Sequence, residues 1–177
     1  VLGIRWFDCT VTGMEAHAGP TPMALRKDSL LAATRIMQDV VAAAHRHPPH
    51  GRGTVGMVQV FPNSRNVIPG RVKFSIDLRN STDALVDQMA DEVKAFAAKV
   101  GQEHGVDVKI EMVSSYNAIA FHENCVDAVG RAARKLGYSN MPAVSGAGHD
   151  AVYMAKLAPS GMIFIPCKDG ISHNEIE

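Results

Sequence analysis

Apolar and polar residues alternate along the first stretch of the chain. From Ile4 to Thr12, Phe7, Cys9 and Val11 fall on one side and Asp8, Thr10 and Thr12 on the other, the period of a half-buried strand that Gly13 closes. The period then changes to that of an amphipathic helix: from Ala24 to about Arg46 a stripe runs through Leu30, Ala33, Thr34, Met37, Val41 and Ala44, and the Pro48-Pro49 pair stops it. Thr54 to Phe61 and Arg71 to Leu78 read as two strands, the second with Val72, Phe74, Ile76 and Leu78 inward. Ser81 or Thr82 caps a second helix with the stripe Leu85, Met89, Val93, Phe96 and Val100, and Val106, Val108, Ile110 and Met112 alternate as a fourth strand.

The order strand, helix, strand, strand, helix, strand is that of the split βαβ or ferredoxin-like arrangement, an antiparallel sheet with two helices on one face. It fills residues 1–115. Residues 116–177 differ in kind. They predict a helix from Asn124 to Leu136 stopped by Gly137, a glycine turn at Gly146 and Gly148, a short helix through Tyr153, a buried strand Met162–Ile165 and a terminal loop. Some sixty residues with one clear strand are too few to complete an α/β layer, so this part reads as the C-terminal portion of a split domain whose first half lies upstream of Val1. The expected class is therefore mixed α/β, with an α+β first unit.

Composition narrows the function classes. Lys plus Arg and Asp plus Glu both number 18, which leaves no field to steer the chain to nucleic acid or an anionic membrane. No apolar stretch reaches the roughly 18 residues of a membrane span. Cys9, Cys125 and Cys167 are odd in number and far apart, against a disulfide framework and in favour of a reducing cytoplasm.

Three histidines stand on turns beside glycine, serine or asparagine. His17 lies in Ala16-His17-Ala18-Gly19-Pro20, where it could donate to a polarised carbonyl, although an isolated histidine is more often structural. His149 follows Gly146-Ala147-Gly148, where backbone N–H groups at a helix start favour an anion; Asp150 reads equally as the cap of that helix. His173, in Ser172-His173-Asn174, follows an apolar strand, a place where metals and ligands collect in α/β folds. Arg79 offers a planar fork and Asn66 an amide donor for a carboxylate, though a surface arginine and a turn asparagine would account for both. His45, His47 and His50 crowd at a helix end, where the dipole favours histidine, and the prolines spread them apart, which argues against a metal site. No P-loop or His-Glu-x-x-His occurs.

Taken together, Ala16-His17-Ala18-Gly19-Pro20-Thr21-Pro22-Met23, Asn66-Val67-Ile68-Pro69-Gly70, Asp77-Leu78-Arg79, Gly146-Ala147-Gly148-His149-Asp150-Ala151 and Ser172-His173-Asn174-Glu175 resemble the N-carbamoyl-L-amino acid amidohydrolases, with the β-ureidopropionases and allantoate amidohydrolases, of the zinc-dependent aminoacylase and carboxypeptidase superfamily. The resemblance implies a βαββαβ lid that forms a homodimer, inserted into a split α/β metallohydrolase catalytic domain. It implies that His173 is a metal ligand, that His17 polarises the scissile carbonyl in the neighbouring subunit's site, that Asn66 and Arg79 hold the substrate carboxylate, and that Gly148 and His149 line the pocket. The metal would be zinc or manganese, with cobalt compatible, bound mainly by residues upstream of Val1; the 177 residues alone would bind it weakly and not turn over. The implied substrate is a small ureido or amide compound bearing a carboxylate. A dipeptidase or aminoacylase of the same superfamily, or a dimerising ligand-binding module without chemistry, are the alternatives.

Overall fold

The computed structural model describes residues 1–172, 174 and 175. The chain divides into two units, Leu2–Ala118 on one side and Ile119–Glu177 with Val1 on the other.

In the first unit the alternating segments become a mixed-length antiparallel sheet. β1 (Gly3–Thr12) lies between β6 (Arg71–Asn80) and β7 (Asp107–Tyr116), and β6 carries on its other edge two short strands, β3 (Arg52–Thr54) and β4 (Val58–Phe61). The register sets Phe7 opposite Ile76, Cys9 opposite Phe74 and Val11 opposite Val72, so both central strands turn their apolar residues to one face. Helices α1 (Ser29–Arg46) and α2 (Asp83–His104) supply the rest of a single buried cluster on that face. Each large aliphatic side chain removed from water there contributes about 1.5–3 kcal/mol.

The helices differ in detail from the expected stripes. Met23–Leu25 forms only an exposed 3₁₀ turn, and α1 starts at Ser29 because the Asp28 carboxylate caps it, accepting from Leu30 N (2.9 Å) and Leu31 N (3.0 Å). Its buried face is Ala32, Ala33, Ile36, Val40 and Ala43, while Val41 stays 45% exposed and Leu30, Met37 and Ala44 sit at the margin. Alanines permit the closest approach to the sheet, so the helix turns its small residues inward. Gly53 completes this fit: a Cβ there would stand 2.2 Å from Val40 O. In α2 the buried set is Val86, Met89, Ala90, Val93, Ala97 and Val100, with Thr82 as cap and Phe96 at the edge.

The expected strand Thr54–Phe61 is two strands. Between them Gly56 N and Met57 N donate to Ser75 Oγ at 3.3 and 3.0 Å, and Ser75 N donates to Met57 O at 3.1 Å, so a side-chain hydroxyl replaces a rung of the ladder. A second, two-stranded ladder joins β2 (Ala16–His17) to β5 (Val67–Ile68).

In the second unit α3 (Glu123–Lys135) begins at His122, whose Nδ1 accepts from Asn124 N at 3.3 Å, and ends before Gly137 in the left-handed region (φ 77°). α4 (Ala151–Met154) is one turn, and Asp150 gives it no side-chain cap bond. The expected strand Met162–Ile165 does not form: a strand exists only by pairing, and no strand lies beyond β7 among the described residues. Ile163 and Ile165 are 71% and 82% exposed. No helix among the described residues is long and apolar enough to cross a membrane.

Candidate active site

The turn between β1 and α1 is held at its base by glycine. Gly13 N donates to Gly70 O (2.8 Å) and Met14 N to Lys27 O (2.9 Å), and a Cβ on Gly13 would meet Lys27 O at 2.0 Å. From this base the chain enters the β2–β5 ladder, where His17 stands opposite Val67 and Ala18 N donates to Asn66 O at 2.8 Å. His17 and Asn66, 49 positions apart in sequence by their numbers, are thus neighbours at one exposed end of the first unit.

Their polar atoms are oriented. Gly19 N donates to His17 Nδ1 at 3.0 Å, so the proton of the neutral ring resides on Nε2, where it can be donated outward. Thr21 Oγ1 donates to His17 O at 2.7 Å. Ser64 Oγ donates to Asn66 Oδ1 at 2.9 Å, which occupies the amide oxygen and turns the amide nitrogen to the role of donor. Arg26 reaches back into the same turn and donates to Ala18 O at 2.7 Å and to Thr21 O at 3.0 and 3.2 Å.

Arg79 lies elsewhere. It stands near the far end of β6, flanked by Ile4 and Arg52 in the neighbouring strands, eight residues from Arg71 at the end next to β5, which is roughly 27 Å along the strand. The structure therefore brings His17 and Asn66 together and leaves Arg79 apart from them within this chain. Asp77 holds the guanidinium: Nε donates to Oδ1 at 2.9 Å and Nη2 to Oδ2 at 2.6 Å. That hydrogen bond, against the opposing pull of burial, raises the Arg79 pKa further above its ordinary value.

In the second unit His149 Nε2 lies 2.6 Å from Ser145 Oγ, and its ring meets Phe164 edge-on at 5.7 Å. Gly148 has open space where a Cβ would stand. α4, at four residues, brings little dipole to the glycine turn, so the helix-start argument for an anion does not carry there. His173 lies outside the described residues.

Among the described residues no group of three or more His, Cys, Asp or Glu side chains could hold a metal ion. His47 instead joins an ion-paired tie between the helices: His47 Nε2 lies 2.8 Å from Glu92 Oε1, and Arg46 bridges Glu92 (2.9 Å) and Asp39 (3.0 Å). Two clefts, of about 340 Å³ between Val41, Pro48 and Gly53 and about 370 Å³ between Thr12, Glu15, Phe61 and Arg71, are lined by none of the five candidate residues that are described.

Arg26, Asp77 and Ser145 carry no signal in the hydrophobic pattern. Asp77 alone is legible by spacing, since residues i and i+2 of a strand share a face. Arg26 and Ser145 act through turn geometry, which no periodicity encodes.

Residues 12–177 match peptidase family M20/M25/M40. The chain is 45% identical over 175 residues to an N-carbamoyl-L-amino-acid amidohydrolase of Rhizobium meliloti, covering 99% of this chain and 42% of that protein. It is 33% identical over 177 residues to an allantoate amidohydrolase of Bacillus subtilis, covering all of this chain and 43% of that one. Its fold superimposes on the crystal structure of an amidase of the hydantoinase/carbamoylase family from Burkholderia multivorans with a TM-score of 0.96 and 49% identity, over 99% of this chain and 43% of that chain. The chain thus spans less than half the length of these relatives.

Proposed function

The chain belongs to peptidase family M20/M25/M40, and from that premise we propose that it is part of a metal-dependent amidohydrolase that cleaves the C–N bond of a ureido substrate, an N-carbamoyl amino acid or an allantoate-like compound. The likeness to a carbamoylase at 45% identity and to an allantoate amidohydrolase at 33% supports the substrate class. The observation that carries the site is that the β2–β5 ladder and the Ala18 N–Asn66 O bond make His17 and Asn66 neighbours, with a proton on His17 Nε2 and an amide donor beside it.

In this reading residues 1–115 are a ferredoxin-like lid, as the strand order β3, β6, β1, β7 with both helices on one core supports, and residues 116–177 belong to a split catalytic domain. The exposed Val126, Leu136, Ile163 and Ile165 are then surfaces that the remainder of that domain covers. Because β6 separates Arg79 from His17 and Asn66, a substrate gripped by all three takes Arg79 from one protomer and His17 with Asn66 from another. A homodimer formed through the lid satisfies this.

Arg79 binds the substrate carboxylate with its guanidinium steadied by Asp77, and Asn66 adds an amide hydrogen bond. His17 Nε2–H donates to the ureido oxygen as negative charge develops on it. Water is added across the bond, and the free amino acid, ammonia and carbon dioxide leave. The described residues do not make a site for zinc or manganese, so the ligands other than His173 are assigned outside this chain, and the 177 residues alone are expected not to turn over.

The test is ammonia release from N-carbamoyl-L-amino acids and from allantoate by the metal-loaded enzyme that contains this chain. Turnover lost on chelation, and lowered about 10²–10³-fold in kcat by His17→Ala, is the expected result. Hydrolysis of dipeptides or N-acyl amino acids with no ureido turnover would shift the assignment to a dipeptidase or aminoacylase.

A further inference from the structure

We propose that Arg26 is a positioning residue for His17, setting which ring nitrogen carries the proton. The proposal rests on the reading of His17 as the donor to the substrate carbonyl. The turn from His17 to Thr21 is exposed at His17, Gly19 and Pro20 and only half-buried at Ala18 and Thr21, so few packing contacts hold it. Its geometry comes from hydrogen bonds. Arg26 Nη2 bridges Ala18 O (2.7 Å) and Thr21 O (3.0 Å), the carbonyls on either side of Gly19-Pro20, and Nε adds a second bond to Thr21 O (3.2 Å). Fixing both carbonyls fixes the peptide planes between them, including the Gly19 N–H that points at His17 Nδ1. The backbone that carries the guanidinium is held as well: Arg26 N donates to Met23 O, and the Asp28 cap starts α1 just after it.

The chain of cause runs from Arg26 to the turn, from the turn to Gly19 N–H, and from that donor to the Nε2–H tautomer of His17. A neutral imidazole whose Nδ1 loses its donor exchanges between tautomers, and only one presents a proton outward. No other side chain bonds to both Ala18 O and Thr21 O among the described residues, and the planar fork is what allows one group to do so.

The experiment compares Arg26→Gln, Arg26→Lys and Thr21→Val with the parent in two readouts. Long-range nitrogen-15 spectra of the histidine-labelled 177-residue chain, with His17→Ala for assignment, report the tautomer of His17. Steady-state kinetics of the metal-loaded enzyme report its consequence. Fluorescence of Trp6, the single tryptophan, verifies that each variant is folded. The expected result is loss of the pure Nε2–H signature in Arg26→Gln, a fall in kcat of about 10–100-fold with KM changed far less, partial recovery in Arg26→Lys and a weaker effect of the same kind in Thr21→Val. A folded Arg26→Gln chain that keeps the Nε2–H signature overturns the proposal, whatever its kinetics. A lost signature with unchanged kcat overturns the reading of His17 as donor.

Discussion

Residues 2–118 and residues 119–175 have similar kinds of pattern and opposite outcomes. The first unit buries one face of its sheet and one face of each helix in a single cluster, down to fully enclosed side chains such as Phe74, Ile36 and Met89. In the second, amphipathic α3 and the apolar run Met162–Ile165 are as clearly patterned, yet none of its described residues is buried. Periodicity says which face an element offers, and burial depends on whether another element comes to meet it. β1 and α1 find partners within the described residues. α3 and residues 162–165 meet none that buries them.

The sharpest way to break this contrast is a pair of truncations. Phe74→Ala, at a site 1% exposed, is expected to destabilise the 177-residue chain by about 3–5 kcal/mol in denaturant unfolding followed by Trp6 fluorescence and far-UV ellipticity. Ile165→Ala, at 82% exposure, is expected to change it by less than about 0.5 kcal/mol. In the longer protein proposed above, Ile165 would be covered, and the same truncation should then cost about 2–5 kcal/mol. Equal costs for the two substitutions in the short chain would show that burial is not what distinguishes the regions.

The same contrast explains how much could be read from residues alone. β1, β6 and α2 follow from alternation and helical period, and the cap of α2 from a choice between Ser81 and Thr82 that the structure settles at Thr82. The start of α1 at Ser29 in place of Ala24 follows from the Asp28 cap, a local signal that the apolar stripe does not carry, whereas its turn toward the alanine face came from tertiary fit against β3 at Gly53, which no local pattern contains. Met162–Ile165 failed as a strand for the complementary reason: its apolar run is real and its neighbour is missing from the described residues. At the candidate site, glycine and histidine on turns located His17 and Asn66 but could not say that a ladder joins them or that β6 holds Arg79 a strand's length away. Distances between segments follow from the register of the sheet, and spacing along the chain does not supply it.

A smaller effect tests whether local caps matter equally in both regions. Asp28→Ala removes two charge-assisted bonds at the start of α1, which packs into the core, and is expected to cost about 1 kcal/mol in the same unfolding assay. His122→Ala removes one 3.3 Å bond at the start of α3, a helix with no buried residue, and is expected to leave the unfolding of the first unit within about 0.5 kcal/mol of the parent while fraying α3 locally. A large loss of Trp6-reported stability in His122→Ala would mean that the two units unfold as one.

The smallest effect concerns the charged tie between α1 and α2. Burial pushes the Glu92 carboxyl up, but the hydrogen bonds from His47 and Arg46 outweigh it and hold the group below its ordinary value of 4.5. A carboxyl whose pKa is lower folded than unfolded binds its proton more readily in the unfolded chain. Its contribution is therefore complete above the ordinary carboxylate value and is lost as the pH falls through the folded value. Arg46, His47 and Gln88 stand against this group, Asp39 holds the other side of Arg46, and the tie is partly open to solvent, so the contribution belongs with surface-type pairs at about 0.2–1 kcal/mol. Unfolding curves of the parent and Glu92→Gln should separate by that amount near neutral pH and converge as the solution is acidified below the ordinary carboxylate value. Added salt should narrow the neutral-pH gap, since exposed charges are screened. A gap that persists unchanged into acid would mean that Glu92 joins the helices by shape and neutral hydrogen bonding, and that the core beneath, Val40 and Ala43 against Val86 to Val93, holds the first unit together without help from charge.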